Sequence, residues 1–105
     1  MAHLHELLTE TLTLLRRMEE ILALEGERNW IRGIGAAIAE GEAVEKGGDD
    51  AVVVFDRMAS TYRSMVEGPG GFGDYFIWRE DLKERRRANE EFKAISEKLW
   101  ALLGR

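Results

Sequence analysis

Apolar residues recur at steps of three and four along most of this chain, and this spacing constrains the fold more than any other feature. The apolar stripe of the first segment comprises Leu4, Leu7, Leu8, Leu12, Leu15, Met18, Ile21 and Leu22. Such spacing places the side chains on one face of an α-helix, with charged residues mostly on the other. The stripe therefore predicts a first helix from about Ala2 to Leu24, ending near Gly26.

A second helix is predicted from about residues 27–29 to the Lys46-Gly47-Gly48 stretch that ends it. Within it, Gly33, Ala37 and Gly41 stand four residues apart, so one face of the helix lacks large side chains. A glycine inside a helix costs about 1 kcal/mol relative to alanine, so this strip needs a compensating gain. We expect another helix to approach closely there, and a ligand lying on the strip is the alternative.

The third segment sets β-propensity against helical period. Its run Ala51–Phe55 is rich in valine, which favours a strand, yet the apolar residues continue at helical spacing as far as Val66. Because the period is unbroken, we predict a helix from about Asp50 to Val66, with Asp49 and Asp50 at its N-terminal cap. A last helix is expected from about Glu80 to Leu103.

One clear loop interrupts the helical pattern, since Glu67–Gly73 contains four glycines and the single proline. Only 32 residues follow it, too few to fold alone. We therefore predict one all-α domain over residues 1–105, a four-helix bundle with the glycine-rich loop before its last helix. The aromatic residues Phe72, Tyr75, Phe76 and Trp78 that follow have two interpretations: a plug for the end of the bundle, or a surface for a partner.

Composition argues against several kinds of chemistry. The chain has no cysteine, which removes thiol nucleophiles and cysteine-ligated zinc. The two histidines, His3 and His5, would point to different sides of the first helix, and the paired acids fall on polar helix faces or at helix starts. The Gly70–Gly73 stretch lacks the preceding strand and the Lys-Ser/Thr pair of a phosphate-binding loop. We expect a non-catalytic protein with no metal and no cofactor.

Charge is distributed unevenly along the chain. Residues 1–55 hold five basic and eleven acidic residues, and residues 56–105 hold ten and nine, for a net charge of −5. The basic stretch Arg79–Arg87 is interleaved with acids, which argues against nucleic-acid binding. No apolar stretch is long enough to span a bilayer and no secretory leader is expected, so we predict a cytoplasmic protein. The acidic half either attracts a basic partner or serves solubility.

A resemblance to a known group adds to this interpretation. The residues that carry it are Trp30, Gly47, Gly48, Tyr62, Gly70, Gly71, Phe72, Gly73, Asn89, Phe92, Leu99 and Trp100. This pattern is similar to a group of small bacterial helical proteins with a G-G-M-G-S-hydrophobic-N-D loop between helices, although Asp74-Tyr75-Phe76 replaces the end of that loop here. Such groups resemble the immunity proteins encoded beside bacterial toxins. The resemblance implies a small, acidic, soluble inhibitor without catalytic activity.

Our leading hypothesis is therefore an inhibitor that occludes the active site of another protein, such as a basic toxin domain. The predicted acidic contacts are Glu40, Glu42, Glu45, Asp49 and Asp50. The predicted contacts in the aromatic segment beside them are Phe72, Asp74, Tyr75 and Trp78. Two alternatives remain: a small-molecule-binding or enzymatic bundle that uses the small-residue strip and the glycine loop, and a homodimer formed through the leucine stripe of the first helix.

Overall fold

The structure is a computed structural model that describes residues 2–47, 50–68 and 70–104. It contains four α-helices, α1 (Ala2–Leu24), α2 (Trp30–Glu45), α3 (Ala51–Val66) and α4 (Leu82–Leu103), and a 3-10 turn at Phe72–Asp74. The described ranges contain no strand, and the prediction of an all-α, four-helix domain is confirmed. The valine-rich start of α3 is helical, so helical period outweighed the strand propensity of valine.

The helices begin where side chains satisfy their free N–H groups. Asp50 caps α3 as predicted, with its Oδ1 accepting from the Val52 N–H at 2.9 Å and the Val53 N–H at 3.3 Å. Asp49, the other predicted cap, lies outside the described residues. Helix α4 begins two residues later than predicted because Asp81 is its cap and accepts from the Glu84 N–H at 3.0 Å.

The four helices pack in a cycle. Helix α1 contacts α2 and α4, α3 contacts the same two and, less extensively, α1, and α2 lies diagonally across from α4. The connections 25–29 and 46–50 have five residues each, so consecutive helices run antiparallel, and residues 67–81 form the long connection between α3 and α4. The bundle measures 45 × 24 × 22 Å.

The leucine stripe of α1 forms the centre of the core. Its most deeply buried members, each at most 1% exposed, are Leu8, Leu12, Leu15, Met18 and Leu22. The outer members Leu4 and Leu7 are half-buried. The stripe thus faces the chain's own helices, which leaves little of its apolar surface for the second copy that the sequence suggested.

The small-residue strip of α2 is filled by neighbouring helices. A Cβ atom added at Gly41 would lie 2.6 Å from Leu12 Cδ2 of α1, and one at Gly33 would lie 2.6 Å from Met65 Sδ of α3. Ala37, between them, is 3% exposed. The strip therefore provides close helix packing, as expected, and leaves no room on this face for a ligand.

Candidate functional site

Between the 3-10 turn and α4 the chain is irregular over residues 75–79 and bends at residues 80–81, and we call residues 75–81 the strap. Asn89 of α4 holds its middle: the Asn89 Oδ1 accepts from the Ile77 N–H at 2.9 Å and the Asn89 Nδ2 donates to the Ile77 carbonyl at 2.8 Å. Ile77 is 1% exposed, so these bonds satisfy both of its buried backbone groups. The neighbours of Ile77, Phe76 and Trp78, are exposed instead, at 58% and 66%.

Two arginines hold the C-terminal part of the strap. The Arg79 guanidinium pairs with both carboxylate oxygens of Glu25 at the end of α1, and this hydrogen bonding raises the pKa of Arg79. Arg85 of α4 donates from Nε to the Arg79 carbonyl at 2.9 Å, and its guanidinium carbon lies 3.6 Å from the centroid of the Trp78 ring. The strap is therefore fixed to both α1 and α4.

The glycine loop before the strap is held by a hydrogen bond to Asp74, the residue that follows it. Asp74 accepts a hydrogen bond from the Gly70 N–H at 3.0 Å. A Cβ atom at Gly71 would lie 2.8 Å from the Glu67 carbonyl oxygen and 2.9 Å from that of Met65, so only glycine fits this turn. Asp74, one of the predicted partner contacts, is thus engaged in shaping the loop.

The aromatic segment divides between the two interpretations that the sequence left open. Phe72 is 3% exposed and its ring centroid lies 5.5 Å from that of Trp30, 5.7 Å from Phe92 and 6.0 Å from Tyr75. Phe72 therefore plugs the core within this ring cluster, and its predicted role as a partner contact stays a prediction. Phe76 and Trp78 are surface residues, and Tyr75 is half-buried between the two groups.

A groove of about 480 Å³ opens between α3, α4 and the strap, and we call it the aromatic groove. Its aromatic lining comprises Tyr62, Phe72, Tyr75, Phe76, Phe92 and Trp100. The polar lining residues are Asn89, Lys93, Ser96 and Glu97. A shallower recess of about 380 Å³ shares Phe76, Asn89 and Lys93 with the groove and extends along α4 to Leu82 and Arg86.

The phenols of the aromatic groove remain protonated at neutral pH. Burial raises the pKa of Tyr62 to about 12, although hydrogen bonding with Ser96 opposes the shift. Burial also raises the pKa of Tyr75, and the nearby carboxylates of Glu25 and Glu27 raise it further. A phenol that ionises only near pH 12 is a poor base at neutral pH. The two phenols therefore provide apolar and neutral hydrogen-bonding contacts, and Lys93 and Glu97 supply the charges of the groove.

Of the predicted acidic contacts, Glu42 and Glu45 face α1, Asp50 caps α3, and Asp49 lies outside the described residues. Glu42 Oε2 lies 3.1 Å and Glu45 Oε1 3.6 Å from the Arg16 Nη2 of α1, so these two acids share a cation on the α1–α2 side. Glu40 is half-buried, and its Oε2 has no hydrogen-bond partner among the described residues. None of these acids that the structure describes is among the residues that line the aromatic groove. A single surface formed by the acidic and aromatic residues therefore stays a prediction.

Of the predicted site residues, Phe72 and Tyr75 line the aromatic groove, whereas Trp78 is exposed outside its lining. Sequence reasoning placed Tyr62 and Phe92 in helical core stripes and missed Trp100 as a site residue. The signal for α4 is its spacing, since Phe92 and Trp100 lie eight residues apart, about two helical turns. Their approach to the strap depends on the fold of the long connection, which no local pattern specifies.

Other observations limit the kinds of site. Among the described residues, no group of three or more histidine, aspartate or glutamate side chains is placed to hold a metal ion. None of the helices in the described ranges is long and apolar enough to cross a bilayer. Comparison of the chain with protein-family models, with curated proteins and with solved structures found no match.

Proposed function

We propose that the chain is a non-catalytic binding domain that docks an amphipathic helix of a partner protein along the aromatic groove and the outer side of α4. One observation carries the proposal: the exposed large apolar residues Phe76, Leu82 and Trp100, at 58%, 59% and 40% exposure, lie along one side of α4 and the strap. Exposed aromatic and aliphatic side chains around a groove are typical of protein-binding sites.

The dimensions favour a protein segment over a free small molecule. Leu82 and Trp100 are eighteen residues apart on one helix, which corresponds to about 27 Å at 1.5 Å per residue. Small-molecule sites bury most of their ligand in one enclosed pocket, whereas this site extends over a groove and an adjoining recess. A helix of about eighteen residues matches that length.

Charges along the site restrict the chemistry of the partner. Arg86, Glu90, Lys93 and Glu97 alternate in sign at steps of three and four residues between the apolar ends of the site. A complementary helix presents the opposite alternation, with a large apolar side chain near each end. This pattern describes a partner that is amphipathic and carries both signs of charge.

Selection of helical peptides tests the proposal. A phage-displayed library of amphipathic helices about twenty residues long, a length that spans the site, is selected against the wild-type protein. The selected peptides are then titrated against Phe76→Ser, Trp100→Ala and the control Val53→Ser, which removes a comparably exposed apolar side chain (53%) at the start of α3. We expect the groove variants to weaken binding at least tenfold, roughly the cost of losing one binding hot spot.

The control distinguishes binding at the groove from non-specific binding to exposed apolar side chains. Val53→Ser is expected to bind the peptides as tightly as the wild type, and circular dichroism checks that all variants are folded. A library without binders, or peptides that ignore both groove substitutions, would overturn the proposal. Weakening by Val53→Ser as large as that by Phe76→Ser would do the same.

Neutralisation of a bacterial toxin is the more specific form of this proposal, and the sequence resemblance supports it. Co-expression with the protein encoded by the neighbouring gene tests it. We expect the wild type to restore growth. If the toxin contacts the aromatic groove, Phe76→Ser should no longer restore it. Glu42→Lys examines the acidic α1–α2 side in the same assay. A neighbouring protein that is neither toxic nor bound would contradict the inhibitor role.

A further inference from the structure

Resting on the proposed function, we infer that the helix docked along α4 is the α4 of a second copy of this chain, running antiparallel around a twofold axis. The residues that form this contact stripe are Leu82, Arg86, Glu90, Lys93, Glu97 and Trp100. They recur at steps of three and four, so they share one side of the helix. All six are exposed, and the buried side of α4 is formed by other residues.

The charges of the stripe are complementary to themselves when two copies run antiparallel. Arg86 and Glu97 lie equally far on either side of a midpoint between Glu91 and Phe92, one residue before the middle of α4, and so do Glu90 and Lys93. An antiparallel pair therefore sets Arg86 of each copy against Glu97 of the other, and Glu90 against Lys93. A parallel pair in register would set like charges against each other, which is unfavourable.

The same antiparallel register brings Leu82 of each copy close to Trp100 of the other. Leu82 and Trp100 are also nearly equidistant from the midpoint, so the indole of one copy reaches the recess of the other, which Phe76, Leu82 and Arg86 line. This recess combines apolar surface with a guanidinium, and both interact favourably with an indole ring. One register thus satisfies the charged and the apolar residues together.

In a single copy, the charged side chains of the stripe make only a weak ion pair with one another. Lys93 and Glu97 approach to 3.9 Å within one helix, but their side chains are 77% and 68% exposed, so this pair is weak. A twofold contact repeats each interaction, as in most homodimers, and each copy supplies both members of every charge pair. The same chain therefore meets the requirements derived for the docked helix.

Charge reversal between two copies tests the inference. Sedimentation equilibrium is measured on the wild type from about 5 to about 500 µM, a range that covers weak association. We expect the average molecular mass to rise from that of the monomer towards that of the dimer as the concentration increases. Arg86→Glu alone sets glutamate against Glu97 of the other copy, and Glu97→Arg alone sets arginine against Arg86. We expect each variant to weaken dimerisation at least tenfold, because two symmetric contacts become repulsive.

Mixing the two variants is the decisive arm. In an equimolar mixture of Arg86→Glu and Glu97→Arg, each altered residue meets an opposite charge on the other copy, so we expect dimerisation to recover to near the wild-type level. The control Lys98→Glu changes the net charge as Arg86→Glu does but lies on another side of α4, and it is expected to dimerise like the wild type. Both altered positions are exposed, so the fold is retained.

A wild type that remains monomeric throughout the range, or a mixture no tighter than the separate variants, would overturn the second copy as occupant. The peptide selection distinguishes this failure from that of the proposed function. Selected peptides that require Phe76 and Trp100 on a monomeric wild type would show that the groove docks a helix of a different protein. A dimer that ignores both reversals would place the contact elsewhere and contradict the inference.

Discussion

Helix α3 packs against its two neighbours in opposite ways. On the α2 side, Gly33 and Gly41 carry no side chains, and the side chains of Met65 and Met58 fill the space, Met58 Cε standing 3.3 Å from the position of a Cβ at Gly41. On the α4 side, the rings of Tyr62 and Phe92 face the aromatic groove. We call the contact between α2 and α3 the closed seam. The contact between α3 and α4 is the open seam, since it contains the groove of about 480 Å³.

Residue size and connection length explain this difference. Small residues let helix backbones approach, and flexible methionine side chains then fill the remaining gaps. Aromatic rings keep backbones apart, and the long connection of residues 67–81 inserts the 3-10 turn and the strap at the end of the wider seam. The comparison teaches that the closed seam provides stability, whereas the open seam provides the surface that we propose for binding.

The largest change in stability is expected from removing the buried ring of Phe92, which lies at the bottom of the groove in the open seam. Phe92 is 6% exposed and contacts the rings of Phe72 and Tyr75, so Phe92→Ala should lower the free energy of unfolding by about 3–5 kcal/mol. Phe76→Ala, at the exposed edge, should change it by about 1 kcal/mol or less. Urea denaturation measures both, and equal losses would contradict the distinction between floor and edge.

The next effect concerns the strap. Asn89→Leu leaves the buried N–H and carbonyl of Ile77 without partners, and we expect a loss of about 3 kcal/mol in the free energy of unfolding. Hydrogen exchange at the Ile77 amide should accelerate more than at the helical amides of α1. Asn89→Asp, which retains an acceptor for the N–H, should cost less. Unchanged exchange at Ile77 in Asn89→Leu would show that other contacts hold the strap.

Alkaline pH should weaken the open seam through Tyr62. Its pKa is raised from 10.0 to about 12 in the folded state, so the unfolded chain releases this proton first as the pH rises. The stability from this group is therefore complete below pH 10 and declines as the pH approaches 12, by about 2–3 kcal/mol in total. Tyr62→Phe should remove this part of the decline. Identical pH profiles of the two proteins would contradict the burial of the phenol.

The smallest effect distinguishes two positions within the closed seam. At Gly41 a new Cβ meets the fully buried Leu12, so Gly41→Ala should destabilise the fold by about 1–2 kcal/mol despite its better helix propensity. At Gly33 the nearest atoms belong to the flexible end of the half-buried Met65, which can move, so Gly33→Ala should change stability by less than about 1 kcal/mol. Thermal unfolding measures both, and equal effects would contradict this difference in packing.

The sequence predicted the helices well because their bounds follow from local period and capping. The predicted α1 agrees with the structure at both ends, and α3 differs by one residue at its start. The groove was not predictable, because Tyr62 and Phe92 occupy positions that the helical period assigns to the core. The path of the strap depends on Asn89, twelve residues beyond Ile77, and no local pattern encodes that contact.

The acidic residues show the same limit of local patterns. Counting charges along the chain indicated an acidic face, but Arg16 lies 26 residues before Glu42 and pairs with it only in the folded bundle. The aromatic segment also required tertiary information, because the alternation of buried Ile77 and exposed Phe76 depends on how the strap lies against α4.

A dilution series followed by amide NMR tests the central claim most directly, because it compares the two sides of the bundle in one experiment. The account predicts concentration-dependent shifts in the strap and on the outer side of α4, centred on Phe76, Arg86 and Trp100. Amides beside Gly33 and Gly41 in the closed seam should remain unchanged. Shifts confined to the α1–α2 side, or no shifts at any concentration, would contradict docking of a second copy along α4.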